Sequence, residues 1–113
     1  MSYYFYVETN PKNVFWKRKN KIVYGCDSSV THNYNKLFDA VLKCHPYDWE
    51  YKRTKLAKRK LIAGIKEIKI NSENYLHLLP ENGWGTIEGF LELLDEFLYC
   101  CNTFPNRYFK FSK

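Results

Sequence analysis

The chain lacks long apolar segments and the short signatures of the common enzyme classes. No apolar run approaches the roughly 20 residues needed to cross a bilayer, and no glycine-rich loop of the P-loop or dinucleotide-binding type is present. None of the three histidines lies at a metal-ligand spacing. We therefore expect no metal, no cofactor and no membrane partner, and we favour a binding protein over an enzyme.

Linkers, internal repeats and low-complexity tracts are also missing, which predicts a single domain over residues 1–113. Aromatic and cationic side chains are abundant instead. The chain has ten Tyr, eight Phe and three Trp, and 18 Lys plus Arg against 12 Asp plus Glu. The formal charge of +6 favours an anionic partner such as nucleic acid, a nucleotide or an acidic protein face. The alternative is that the charge serves only solubility.

The cysteines favour a reducing compartment. Cys26, Cys44, Cys100 and Cys101 include no C-x-x-C pair, and the first residues do not have the pattern of a secretory signal. We therefore expect a cytoplasmic protein whose thiols are reduced and mostly buried.

Hydrophobic periodicity predicts an α+β fold. Strands are predicted at 2–9, 14–16, 22–24 and 108–111, and helices at 34–42, 48–69 and 87–101. The first helix is expected to start near Thr31 and to end before Pro46, and Thr86 is the expected N-cap of the last helix. A run of strands followed by a run of helices predicts a small antiparallel sheet, made of the N-terminal strands and the C-terminal strand, packed against about three helices.

One candidate site combines two polar segments. If a helix begins near Thr31, then Thr31, His32 and Asn33 lie in its first turn, where free N–H groups attract a phosphate. Trp84, placed between two glycines, can stack on a base, and Glu88 can accept a hydrogen bond from a ribose or a base edge. The alternatives are helix capping for the first segment and core packing for the indole.

A second candidate site is formed by two basic elements. Their cations are Lys17, Arg18, Lys19 and Lys21 in the first element and Lys52, Arg53, Lys55 and Arg59 in the second. The neighbouring aromatic residues are Phe15, Trp16, Tyr24, Trp49 and Tyr51. Basic grooves lined by aromatic rings are what single-stranded nucleic acid requires. The alternative is a solvated, charge-rich surface with no partner.

Two segments resemble a family of small, uncharacterised proteins encoded by bacteriophages and prophages. They are V-T-H-N-Y-N-K-L at 30–37 and P-E-N-G-W-G-T-I-E at 80–88, the latter followed by an amphipathic helix. The resemblance implies a phage origin and a compact α+β fold, with no established reaction. It leads us to expect a non-enzymatic accessory protein in the cytoplasm of an infected or lysogenic bacterium.

Proteins of that origin and size commonly counter host defence, which leaves two hypotheses. The first is a protein that binds an anionic, nucleotide-like ligand through Thr31, His32, Asn33, Trp84 and Glu88, with a pocket between the subunits of a homo-oligomer as one arrangement. The alternative is an anti-CRISPR-like inhibitor that uses a basic face to bind a host defence nuclease or its nucleic acid.

Overall fold

An antiparallel sheet and a layer of helices build an α+β fold, as the sequence predicts. The computed structural model describes residues 2–9, 22–25, 30–31, 34–79 and 85–112. The strands are β1 Ser2–Glu8, β2 Ile22–Gly25, β3 Val30–Thr31 and β4 Tyr108–Ser112. The helices are α1 Asn35–Leu37, which continues as a π-helical turn over Phe38–Leu42, α2 Lys58–Asn71 and α3 Ile87–Thr103. Short 3-10 helices lie at Pro46–Trp49, Thr54–Ala57 and Ser72–Leu78.

Strand β1 is the centre of the sheet. It pairs antiparallel with β4 over residues 4–8, with β2 over residues 6–8 and with β3 at residues 2–3. Because β2 and β4 pair with the same half of β1, they must lie on its opposite edges. The prediction that the last strand returns to the N-terminal strand is therefore confirmed.

The two faces of the sheet carry different side chains. Phe5 and Val7 of β1 and Phe109 of β4 are fully buried, and the ring of Phe5 stacks on Phe97 of α3 with centroids 4.4 Å apart. Successive strand residues point to opposite faces, so the intervening residues face outward, and Tyr4 among them is 42% exposed.

Helix α3 follows the predicted periodicity. Phe90, Leu94 and Phe97 are fully buried along one stripe. The hydroxyl of Thr86 accepts a hydrogen bond from the N–H of Gly89 over 2.9 Å, so the predicted N-cap is confirmed.

Helix α2 buries one stripe of apolar residues against the core. Leu61 and Ile68 are fully buried and Ile65 is buried. At Gly64 the helix backbone comes so close to Leu42 that an added Cβ would overlap its side chain. This contact joins α2 to the π-helical turn.

The middle of the chain departs from the prediction of one helix over 48–69. Helix α2 begins only at Lys58, because residues 50–54 run along the free edge of β4 instead. The N–H of Tyr51 donates to the carbonyl of Phe109 over 2.9 Å, and the N–H of Phe109 donates to the carbonyl of Lys52 over 3.3 Å. This pairing covers a sheet edge that would otherwise be open. The predicted strand 14–16 lies outside the described residues.

Candidate anion-binding surface

The first candidate site lies largely outside the described residues. His32, Asn33 and Trp84 are among the residues not described. Glu88 is exposed in the first turn of α3. Thr31 does not begin a helix as predicted, since its backbone pairs with Ser2 at the end of β3. The β-branched pair of residues 30 and 31 suits a strand better than a helix start, which accounts for this correction.

Two described residues next to these segments in the sequence, Tyr34 and Thr86, are in contact. The N–H of Thr86 donates to the hydroxyl oxygen of Tyr34 over 3.3 Å, and the rings of Tyr34 and Phe90 have centroids 5.5 Å apart. The start of α1 and the start of α3 are therefore neighbours. Hydrophobic spacing predicts a helix that begins at Tyr34, and nothing in the sequence indicates that its hydroxyl contacts the N-cap residue of another helix.

Of the second candidate site, the structure describes the second basic element. Residues 52–60 contain six cationic side chains and no acidic one. We call these six residues the basic surface: Lys52, Arg53, Lys55, Lys58, Arg59 and Lys60. All six are exposed, and within the described ranges none has a carboxylate within the 4 Å of an ion pair. Lys17, Arg18, Lys19 and Lys21 lie outside the described residues.

A buried threonine fixes the basic surface to the core. The hydroxyl of Thr54, which is fully buried, donates to the carbonyl of Phe104. Its N–H donates to the carbonyl of Arg107 over 2.9 Å, and its own carbonyl accepts from the thiol of Cys101 over 2.9 Å. With Ala57 also buried beside α3, the short segment between them presents its cations to solvent.

The basic surface contains a shallow depression of about 370 Å³, lined by Lys55, Lys58, Arg59 and Ile62. Ile62 is 47% exposed and supplies an apolar patch among the three cations. The depression also lies where the 3-10 helix at Thr54–Ala57 continues into α2, and the N–H of Lys58 there donates to the carbonyl of Lys55. A phosphate-bearing partner suits this combination of charge and shape.

Two cation–aromatic contacts lie next to the basic surface, at the edge of β4. The guanidinium carbon of Arg53 lies 6.0 Å from the centre of the Tyr108 ring, and Arg53 also donates to the side-chain oxygen of Asn106 over 3.3 Å. The ammonium of Lys110 lies 5.5 Å from the centre of the Tyr51 ring. These contacts hold cations against aromatic rings at the boundary between the basic surface and the sheet.

Two of the aromatic residues predicted to offer stacking surfaces do not. Trp49 is only 6% exposed and packs against Phe97 in the core. Tyr24 faces the helices, and its hydroxyl donates to the carboxylate of Glu96 over 2.6 Å. Tyr51 is exposed, as the prediction requires, whereas Phe15 and Trp16 lie outside the described residues.

His45 makes hydrogen bonds within the fold, and the thiols of Cys44 and Cys101 are partly or fully shielded from solvent. The Nδ1 of His45 accepts from the N–H of Tyr47 over 3.1 Å, and its Nε2 lies 2.9 Å from the side-chain oxygen of Asn35. Burial raises the pKa of the Cys101 thiol to about 12 and also raises the pKa of Cys44. Raised pKa values disfavour the thiolate, which is the reactive form.

The described part of the chain contains no group of three or more His, Cys, Asp or Glu placed to hold a metal ion. No helix in the described ranges is long and apolar enough to cross a membrane. Compared with protein-family models, curated proteins and solved structures, the chain matches none of them.

Proposed function

We propose that this protein is a non-enzymatic binder of nucleic acid, and that the basic surface is its phosphate-contacting element. The observation that carries the proposal is the set of six exposed cations within nine residues, none of them ion-paired within the described ranges. Displacement of counterions from a polyanion gives such a surface affinity for nucleic acid of any sequence.

The biological role we propose is counter-defence. The resemblance of residues 30–37 and 80–88 to phage and prophage proteins supports it, as does the small size of the chain. In this role the basic surface occupies a nucleic acid, or the nucleic-acid site of a host defence nuclease, in the manner of an anti-CRISPR protein. The protein acts in the cytoplasm of the infected or lysogenic bacterium.

The proposal is tested by removing two charges from the depression. Binding of a fluorescein-labelled oligonucleotide is followed by anisotropy over a series of salt concentrations, for the wild type and for K58Q/R59Q. We expect affinity to fall steeply with salt and the variant to bind about tenfold more weakly. Because each lost phosphate contact removes about 0.7 to 0.9 from the slope of log K against log salt, the slope should become shallower by about 1.5.

The control variant K36Q/K69Q removes the same charge elsewhere. Lys36 is exposed on α1, and Lys69 lies in the last turn of α2, about 15 Å along the helix from Arg59 at 1.5 Å per residue. We expect the control to bind like the wild type at each salt concentration. If both variants bound equally weakly, the loss of affinity would be due to net charge alone. An affinity that does not change with salt concentration would contradict the proposal.

A nucleotide-like ligand near the start of α3 is a second candidate function, favoured by the hydrogen bond between Thr86 and Tyr34. That contact joins Tyr34, which follows Asn33 in the sequence, to Thr86, which comes two residues after Trp84. Native mass spectrometry of the purified protein tests it, followed by analysis of released small molecules. A homo-oligomer carrying a nucleotide that is lost in H32A/W84A would support this function. A ligand-free monomer that captures no added nucleotide would contradict it.

A further inference from the structure

The outer face of the sheet presents tyrosine side chains. Strand alternation places Tyr4 and Tyr6 of β1 and Tyr108 of β4 opposite the face of the buried Phe5 and Phe109. Tyr4 is 42% exposed, and the other two tyrosines are half-buried. We call these three residues the tyrosine face. The sheet thus keeps phenylalanine inside and tyrosine, which tolerates water at its hydroxyl, outside.

The tyrosine face continues onto the neighbouring strand. Tyr6 pairs with Gly25 of β2, and a Cβ added to Gly25 would lie 3.4 Å from the Cδ1 atom of the Tyr6 ring. The ring of Tyr6 therefore leans over the backbone of β2 at a residue without a side chain.

One carboxylate and two cations lie beside the tyrosine face. The carboxylate of Glu8 lies 3.4 Å from the ammonium of Lys110. The negative charge of Glu8 is therefore paired with a cation of the same sheet. Arg53 contacts the ring of Tyr108 and has no carboxylate within 4 Å among the described residues. Because Arg53 also belongs to the basic surface, the tyrosine face and the basic surface adjoin at this residue.

We propose that the tyrosine face is a base-stacking platform for single-stranded nucleic acid, with Arg53 on a backbone phosphate. Aromatic rings bind bases of any identity through their π faces, and cations next to them follow the phosphates. This inference rests on the proposed function and deepens it, since it names single strands as the preferred nucleic acid.

The spacing of the tyrosines selects single strands over duplexes. Tyr4 and Tyr6 are two residues apart on one strand, and a rise of about 3.4 Å per residue separates them by about 7 Å. Bases in a duplex are stacked on one another at about 3.4 Å per step, and a ring can insert between them only if the step is first unstacked at a cost in free energy. Bases spread to the spacing of the tyrosines are accessible only in a single strand.

The experiment compares Y4V and Y108V with Y4F and Y108F. The probe is a labelled oligothymidylate of twelve nucleotides, and an abasic oligomer of equal length and a duplex are measured beside it. Valine keeps the strand propensity but removes the ring, whereas phenylalanine keeps the ring. We expect each valine variant to bind the oligothymidylate about tenfold more weakly, with an unchanged salt slope, and each phenylalanine variant to bind like the wild type.

The readouts separate the two proposals. Loss of affinity in K58Q/R59Q together with full affinity in Y4V and Y108V would overturn the stacking platform and leave the basic surface in place. Equal loss toward the abasic oligomer would also overturn it, because no base is present there. Since Y108V changes a half-buried residue, the more exposed Tyr4 decides the case if Y108V does not fold. A dimer in sedimentation that Y4V dissociates would assign the face to a second copy of the chain instead.

Discussion

The hydroxyl oxygen of Tyr34 lies 2.5 Å from the position that a Cβ at residue 89 would occupy, so Gly89 makes room for it. The same hydroxyl accepts the hydrogen bond from Thr86. A glycine in the first turn of α3 lowers helix propensity by about 1 kcal/mol relative to alanine, and the contact with Tyr34 explains its presence.

The effect of replacing Gly89 on the free energy of unfolding should therefore depend on whether residue 34 carries a hydroxyl. We expect G89A to lower the free energy of unfolding by about 1 to 3 kcal/mol in the wild type, because the added methyl overlaps a buried hydroxyl. In the Y34F background the nearest obstacle is gone, and the hydroxyl oxygen of Thr86 at 3.1 Å is the closest atom that remains, so G89A should cost much less. Urea denaturation of the four proteins measures the coupling, and additive effects would show that the two side chains do not meet.

A second prediction concerns the end of the first helical segment. Lys43 has a φ of 61°, in the left-handed region that glycine adopts without strain. We expect K43G to raise the free energy of unfolding by roughly 0.5 to 1 kcal/mol, because a left-handed conformation costs a residue with a Cβ about that much or more. K43A is the matched control, since it removes the same side chain and keeps the strain. A K43G protein less stable than K43A would refute this explanation.

Hydrophobic periodicity and capping residues predicted the elements whose local preference agrees with their packing in the fold. Helix α3 combines an uninterrupted apolar stripe with a threonine cap, and both occur as predicted. Residues 50–54 behave differently, because pairing with the edge of β4 competes there with helix formation. Tyr51 adopts a φ of 64°, which a bulky residue rarely does, and in this conformation its N–H pairs with the carbonyl of Phe109. Such tertiary pairing leaves no trace in periodicity.

The candidate surfaces were predictable to different extents. The exposure of the cations between 52 and 60 follows from their density, which no core can accommodate. The tyrosine face was in principle readable from the alternation of Tyr4, Phe5, Tyr6 and Val7, but the sequence does not say which face the helices cover. For the same reason Tyr24 and Trp49 were predicted as surface residues, although they pack toward the core.

A third prediction follows from the buried thiol of Cys101. Its pKa is raised from 9.0 to about 12 by burial, so between these values the unfolded chain has lost a proton that the folded chain retains. The free energy of unfolding should therefore fall as the pH rises above about 9. In C101A this contribution is absent, and the decline should be shallower by up to about 1.4 kcal/mol per pH unit.

Urea denaturation at intervals between pH 7 and 10.5 checks the prediction. C101S serves as a second variant, because serine does not titrate in this range and keeps a donor for the carbonyl of Thr54. Both variants should flatten the decline relative to the wild type, whatever their stability at pH 7. Parallel curves for all three proteins would mean that another group accounts for the alkaline loss.

The fourth prediction links the proposed function to stability. Lys58, Arg59 and Lys60 form the first turn of α2, where cations oppose the helix dipole and one another. Removing two of them in K58Q/R59Q should raise the free energy of unfolding by about 1 kcal/mol at low ionic strength, and salt should diminish the gain by screening. At the other end of the helix Lys69 is favourably placed, so K69Q should lower the free energy of unfolding by a few tenths of a kcal/mol. Thermal denaturation at 20 mM and 500 mM NaCl measures both changes in stability.

A K58Q/R59Q protein that is more stable and yet binds nucleic acid more weakly would show that these cations reduce stability in favour of binding. A K58Q/R59Q protein that is less stable than the wild type would instead show that Lys58 and Arg59 stabilise the fold.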